Sequence, residues 1–241
     1  MAGHSKWKNI MHKKEKTDAQ RAKIFSKVGK EISMAVKDGG PDPVSNTKLR
    51  DLIAKAKSLN VPNDNIERTI KKASGNDGVN YEVVYYEGYG VGGVAVIVEA
   101  TTDNRNRTAA DIRHYFDKHG GNLGTTGCVS FMFEDKGVVV IDADGVDEDT
   151  FMEDALECGA DDFSAEDEVF EVLTEVGELN IVKNAIQNKG YKIVSAEPDK
   201  MPSTYVTLTD DQQISKMQKL LDMLDDNEDV TGVWHNWENQ E

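Results

Sequence analysis

Residues 136–198 carry a succession of patterns that few folds accommodate. Strand-like runs at 137–141, 161–165, 168–173 and 191–196 are interrupted by helical periodicity at 149–157 and 179–188. Together they spell β-α-β-β-α-β, the ferredoxin-like or split βαβ order. Such a unit closes on itself, so the chain on either side must build something else. Upstream, 83–87 and 94–99 read as strands, 107–118 as a helix with Ala110, Ile112, Tyr115 and Phe116 as its apolar set, and 128–133 as another strand. Downstream, a strand at 205–208, a helix at 211–224 and a strand at 230–237 complete a second set of the same kind.

The first 75 residues follow a different rule. Ile24, Phe25, Val28, Ile32, Ala35 and Val36 recur at helical spacing behind Asp18, a candidate cap, and the run stops at Gly39-Gly40-Pro41. A second helix is expected over 46–59, with Leu49, Leu52, Ile53 and Ala56 turned inward. A third is expected to start near Asp64, capped by that residue with Glu67 three positions on, and to end before Gly75. The chain thus reads as α+β with three domains, a helical N-terminal bundle plus two α/β domains of ferredoxin-like character. The boundaries fall at 1–78 for the helical domain, 79–134 with 203–241 for a discontinuous middle domain, and 135–202 for an inserted one.

Charge separates along the same boundary. Of 28 Lys and Arg and 44 Asp and Glu in the 241 residues, residues 1–75 hold 17 basic against 8 acidic, and the remainder 11 against 36. A chain of net charge −16 is a poor partner for a polyanion as a whole, yet its first third carries +9. Lys23, Lys27 and Lys30 fall on one helical face, roughly opposite the apolar one. Ahead of them His4, Lys6, Trp7, Lys8, His12, Lys13, Lys14 and Lys16 set cations around one indole ring, a pattern that suits phosphate contact and base stacking. The same Trp7 in a bundle core, with solvating lysines, is the structural alternative. Asn104, Arg105 and Arg107 form a second polar cluster, suited either to phosphate or to a capped strand-to-helix loop with Asp–Arg pairing inside it.

Other chemistries find little footing. The run Gly88-Tyr89-Gly90-Val91-Gly92-Gly93 precedes a strand and not a helix, so it reads as a hairpin connection and not a dinucleotide cradle. Asp142, Asp144, Asp147 and Asp149 lack the glycine register of a calcium loop. Cys128 and Cys158 lack metal-ligand spacing; the first reads as a buried strand thiol and the second as a residue at a helix end. The five histidines and the serines form no recognised catalytic motif. No catalytic residue, metal, cofactor or small-molecule substrate is therefore expected. No apolar run approaches the ~20 residues that span a bilayer, and no secretory h-region follows the basic start, so no membrane partner and a cytoplasmic location are expected.

Five separated blocks stand out: Ala2-Gly3-His4-Ser5-Lys6-Trp7, Glu87-Gly88-Tyr89-Gly90, Asp103-Asn104-Arg105-Asn106-Arg107-Thr108, Gly120-Gly121-Asn122-Leu123-Gly124 and Leu221-Asp222-Met223-Leu224-Asp225-Asp226. Together they resemble the YebC family, which includes the mitochondrial translational activator of cytochrome c oxidase. Val91 departs from the proline usual in the family after Gly-Tyr-Gly, and Trp234 stands where tyrosine is usual. The resemblance implies a three-domain fold and a non-enzymatic role in gene expression, as a DNA-binding transcriptional regulator. An alternative is a ribosome-associated translation factor that contacts ribosomal RNA and tRNA and relieves stalling at proline-rich stretches. A protein-interaction scaffold built on the acidic surface is a third reading.

Overall fold

The computed structural model describes residues 18–75, 79–165 and 168–238. Among them are seven α-helices and eight strands, the strands forming two four-stranded antiparallel sheets behind an N-terminal set of helices. Two compact units emerge. One comprises residues up to 130 together with 209–235, the other 131–208 with 236–238.

In the first unit, α1 (Asp18–Gly39), α2 (Thr47–Ser58) and α3 (Asn63–Ala73) close on one core. Val28, Ile32, Ala35 and Val36 of α1, Leu49 and Ala56 of α2 and Ile66 and Ala73 of α3 are buried there, with Ile24, Phe25, Leu52 and Ile53 packed around them. The stripes read from the sequence are those the core uses. Asn46 fixes the first corner. Its amide donates to the Ala35 and Gly40 carbonyls at the end of α1, while its side-chain oxygen accepts from Leu49 N–H at the start of α2. One side chain thus satisfies orphan groups of two helix termini. The start of α3 departs from expectation. Pro62 stands at its N-cap with no side-chain bond, and Asp64 lies inside the first turn; proline's fixed φ sets the entry, and its carbonyl accepts from the Asn65 and Ile66 N–H groups.

The same unit holds β1 (Glu82–Tyr89), β2 (Ala95–Thr102), α4 (Arg105–Lys118), β3 (Asn122–Leu123), α7 (Asp211–Asp226) and β8 (Val230–His235). The sheet order is β3-β1-β2-β8. The glycine run makes the β1–β2 hairpin, in register from Glu82 opposite Thr102 to Tyr89 opposite Ala95. Gly88 is required by packing: a Cβ there would lie 2.6 Å from the Asn122 carbonyl oxygen and 2.9 Å from the Phe116 ring. On α4, the expected Ile112 and Phe116 are buried together with Thr108 and Tyr115 is half-buried; of the expected apolar set, Ala110 alone is exposed.

The expected strand at 128–133 is not one. Residues 124–130 form a loop, a 3-10 turn covers Ser130–Met132, and the next strand starts at Phe133. The cause is Glu87. Its carboxylate, only 6% exposed, accepts from the N–H groups of Gly127, Val129 and Ser130, which a ladder would otherwise use. Cys128 is consequently half-buried in a turn, and its carbonyl accepts from the Tyr89 hydroxyl.

In the second unit, β4 (Phe133–Asp142), α5 (Glu148–Glu157), β5 (Asp162–Ala165), β6 (Val169–Glu175), α6 (Leu179–Asn188) and β7 (Ile193–Pro202) follow the β-α-β-β-α-β order, with the sheet ordered β5-β6-β4-β7. That is the ferredoxin-like arrangement, all antiparallel. The two sheets share one plan. In the first, β2, β3 and β8 take the positions of β4, β5 and β7, and β1, drawn from the start of the segment, fills the place of β6. Phe151, stacked on Phe170 at 5.0 Å and edge-on to Tyr191 at 4.8 Å, centres the second core. Cys158 caps α5 ahead of Gly159, whose φ of +95° ends the helix. The segment expected as a strand at 205–208 contributes only a bridge from Val206 to Trp237.

Candidate nucleic-acid interface

Among the candidate residues, His4, Lys6, Trp7, Lys8, His12, Lys13, Lys14 and Lys16 lie outside the described residues. Lys23, Lys27 and Lys30 do share one face of α1, spaced by four and three residues as the sequence indicates. That face is not open. It meets the acidic segment that follows α7. Lys23 pairs with Asp226 at 2.9 Å, Lys27 donates to the Asp225 carbonyl oxygen at 2.5 Å, and Lys30 donates to the Glu228 carbonyl and pairs with Asp229 at 2.6 Å. The electrostatic logic is plain. Asp225 and Asp226 sit at the C-terminal end of α7, where the helix dipole is already negative. Three cations from a neighbouring helix relieve that concentration of negative charge.

Asp229 is the centre of this arrangement and of the second polar cluster as well. Its Oδ1 takes Lys30; its Oδ2 accepts from Arg107 at 2.8 Å, from the Thr108 hydroxyl at 2.8 Å and from the Thr102 hydroxyl at 3.2 Å. Burial alone would raise its pKa, but the bonds from Arg107, Lys30 and Thr108 outweigh that and hold it down to about 2. Arg107 spans Asp229 and Asp103, and those bonds raise its own pKa further still. Asn104 caps α4 by accepting from Arg107 N–H. Arg105 is exposed. Two candidate clusters far apart in sequence, one on α1 and one at the start of α4, are therefore brought onto a single carboxylate.

Around that carboxylate lies a cleft of about 420 Å³ lined by Lys30, Tyr81, Asp103, Arg107, Asp111 and Asp229, with Asn227 and Glu228. Two cations face four carboxylates, so the cleft carries a net negative charge. Asp229 and its role were not visible in the sequence. It belongs to an acidic run that reads as solvated helix-end charge, and nothing local marks the residue that turns inward.

Elsewhere on the bundle, Arg68, Lys71 and Lys72 of α3 are exposed, and none of their side chains bonds or pairs with another described residue. The calcium-loop aspartates find ordinary uses, Asp147 as the α5 N-cap and Asp142 as the partner of Lys192. Among the described residues, no group of three or more His, Cys, Asp or Glu is placed to hold a metal, and no helix is long and apolar enough to cross a membrane.

The sequence and the fold recur in known proteins. The family model for the TACO1/YebC N-terminal domain matches residues 5–76, and that for the TACO1/YebC second and third domain matches residues 81–237. A protein of Acetivibrio thermocellus is 60% identical over 239 residues, covering 98% of this chain and 99% of its own, and bears the name "Probable transcriptional regulatory protein". One from Ruminiclostridium cellulolyticum with the same name is 56% identical, covering 100% of this chain and 98% of its own. The crystal structure of a conserved hypothetical protein from Aquifex aeolicus, 46% identical, superposes with a TM-score of 0.83 over 92% of each chain. With both domain models and full-length relatives in agreement, this chain belongs to the TACO1/YebC family.

Proposed function

We propose that the protein is a non-enzymatic, nucleic-acid-binding regulator of gene expression, whose polyanion contacts lie in the basic helical domain, residues 1–78. The observation that carries this reading is the separation of charge, 17 basic against 8 acidic side chains in residues 1–75 and 11 against 36 in the rest. Such a chain meets phosphate with one end and repels it with the other, which orients the encounter. The names of the relatives support transcriptional regulation as its context. In this reading the remaining candidates, His4 to Lys16, act as phosphate and stacking contacts, while Lys23, Lys27, Lys30, Asn104 and Arg107 build the platform that holds α1 and α4 in place. Arg105, exposed at the start of α4, is left to meet a phosphate.

A second reading, action on the ribosome through ribosomal RNA or tRNA, is favoured by one feature. The exposed cations of the bundle are mostly lysines, which make mobile phosphate contacts, and among the described helices none is evident as a recognition helix with Asn, Gln and Arg arranged to read base edges. One experiment separates the two. Tagged protein is sedimented from lysate with and without nuclease and under ribosome-dissociating conditions, in parallel with competition on promoter DNA. Retention on a defined promoter against nonspecific competitor supports transcription; nuclease-sensitive co-migration with ribosomes supports translation. Migration as free protein in every condition, with no DNA retention, would sink both and leave the scaffold reading.

A further inference from the structure

Between α1 and α3 runs a groove of about 330 Å³ that the core does not fill. Its floor is apolar, with Phe25, Val28, Ile32 and Ile66, and its rim carries Ser26, Asn65, Thr69 and Arg68. We infer that this groove, with the cations beside it on α3, takes one unpaired nucleotide of a single-stranded nucleic acid. The inference rests on the nucleic-acid reading above and assigns it a place.

Three observations carry it. First, the volume lies near the lower end of the roughly 300–1,000 Å³ typical of small-ligand sites, enough for a base with part of its sugar and too small for a duplex. Half-buried Phe25 gives the floor an aromatic surface, and base stacking on such surfaces tolerates any sequence. Second, the rim chemistry is that of a base edge and a phosphate. The Thr69 hydroxyl is spent on the Asn65 carbonyl, but the Asn65 amide keeps both its donor and its acceptor. Arg68 lines the groove, and Lys71 and Lys72 follow at three and four residues, one turn along the same helix. Asp64 and Glu67 share α3, but neither pairs with these cations at 4 Å or less, whereas the lysine row of α1 is occupied by Asp225–Asp229. Arg68, Lys71 and Lys72 therefore place exposed, unengaged charge beside the groove.

Third, Gly29 lies against the groove in the interior of α1, where glycine costs a helix roughly 0.5–1 kcal/mol relative to alanine. A Cβ at that position would meet nothing closer than the Thr69 hydroxyl oxygen at 4.0 Å. Helix packing does not demand this glycine, and its missing side chain leaves the groove open on the α1 side.

The test uses the full chain and fluorescence anisotropy with labelled 12-nucleotide single strands, RNA and DNA of one mixed sequence, and with the corresponding duplex. Replacing Arg68, Lys71 and Lys72 together by Gln is expected to weaken single-strand binding at least tenfold. It should also flatten the dependence of log affinity on log salt by about 2, since each lost phosphate contact removes ~0.7. Gly29→Leu, which fills the groove without removing charge, is expected to weaken single-strand binding and leave duplex binding unchanged; thermal unfolding reports whether each variant is folded. Gly29→Ala serves as the milder form should the leucine variant not fold. RNA and DNA strands binding alike locate recognition in base and phosphate, while a preference for RNA adds the 2′-hydroxyl to the contacts; both support the site. Unchanged single-strand affinity in the triple variant, or in a folded groove-filled variant, would overturn the groove and leave the nucleic-acid reading standing. Absence of binding to any strand by the wild-type protein would overturn both.

Discussion

Two buried carboxylates govern this molecule at the scale of single residues. Asp229 holds two cations and two hydroxyls. Replacing it by Asn keeps the shape but leaves Lys30 without its carboxylate and Arg107 with Asp103 alone. Removing one partner of a buried pair costs about 3–5 kcal/mol, less here because the Arg107 side chain is 47% exposed. Asp229→Asn should therefore lower stability by roughly 2–3 kcal/mol in urea unfolding at neutral pH. The pH dependence has a definite sign. A carboxyl whose pKa is about 2 in the folded state and ~3.9 unfolded binds fewer protons when folded, so its stabilisation is complete above the unfolded value. It drains away as pH falls from about 4 to 2. The wild type should lose this increment of stability across that window and Asp229→Asn should not; parallel slopes for the two proteins would refute the assignment. Glu87 behaves alike for a different reason. Burial opposes its charge, but three backbone N–H groups prevail and hold its pKa below the usual carboxylate range. Glu87→Gln turns one acceptor into a donor that faces N–H groups. A loss of about 1–3 kcal/mol is expected, with faster amide exchange at Gly127, Val129 and Ser130 as its local signature.

At the scale of elements, the hydrophobic periods were legible and the long-range polar bonds were not. The stripe on α1, the inward set on α2, the hairpin at the glycine run and the β-α-β-β-α-β succession all follow from local pattern, because each element buries a face set by its own period. Two outcomes that local pattern does not show share one physical cause. Residues 128–133 have a strand's composition, but Glu87, some forty positions upstream, takes their N–H groups. Lys23, Lys27 and Lys30 make a proper helical face, but that face is answered by residues about 200 positions away. Partners at such separations leave no trace in local spacing. Where a polar contact is short-range the outcome was readable, as at Asn104, whose capping of α4 was one of the two alternatives the sequence allowed. Asn46 tests this scale directly. Asn46→Ala removes the cap of α2 and two bonds to the end of α1, so a loss near the upper part of the 0.5–2 kcal/mol range for caps is expected. Asn46→Asp keeps the acceptor for Leu49 but loses both donors, and should fall between the two. If Asp proves as stable as Asn, the bonds to Ala35 and Gly40 contribute nothing.

For the whole molecule, the decisive quantity is the sign of the salt dependence. Judged by its net charge of −16, the chain repels a polyanion, and added salt, by screening that repulsion, would strengthen whatever binding exists. Judged by its charge distribution, a segment of +9 makes the contact, and acidic charge farther from the phosphates than the Debye length, about 8 Å at physiological ionic strength, is screened. Counterions are then released from the nucleic acid, and affinity falls as salt rises. With ~5 phosphates neutralised the slope of log affinity against log salt should be about −4 to −5 on duplex DNA, and nearer −3.5 on a single strand. The measurement is a titration at several salt concentrations, with the same protein and two ligands. A negative slope of that size places the contact in the basic segment whichever nucleic acid is the physiological target. A positive slope means that the acidic body dominates the encounter, and a slope of zero means that charge does not carry it. In either of those cases the separation of charge along the chain would need another purpose, and a protein partner meeting the acidic surface would become the reading to pursue.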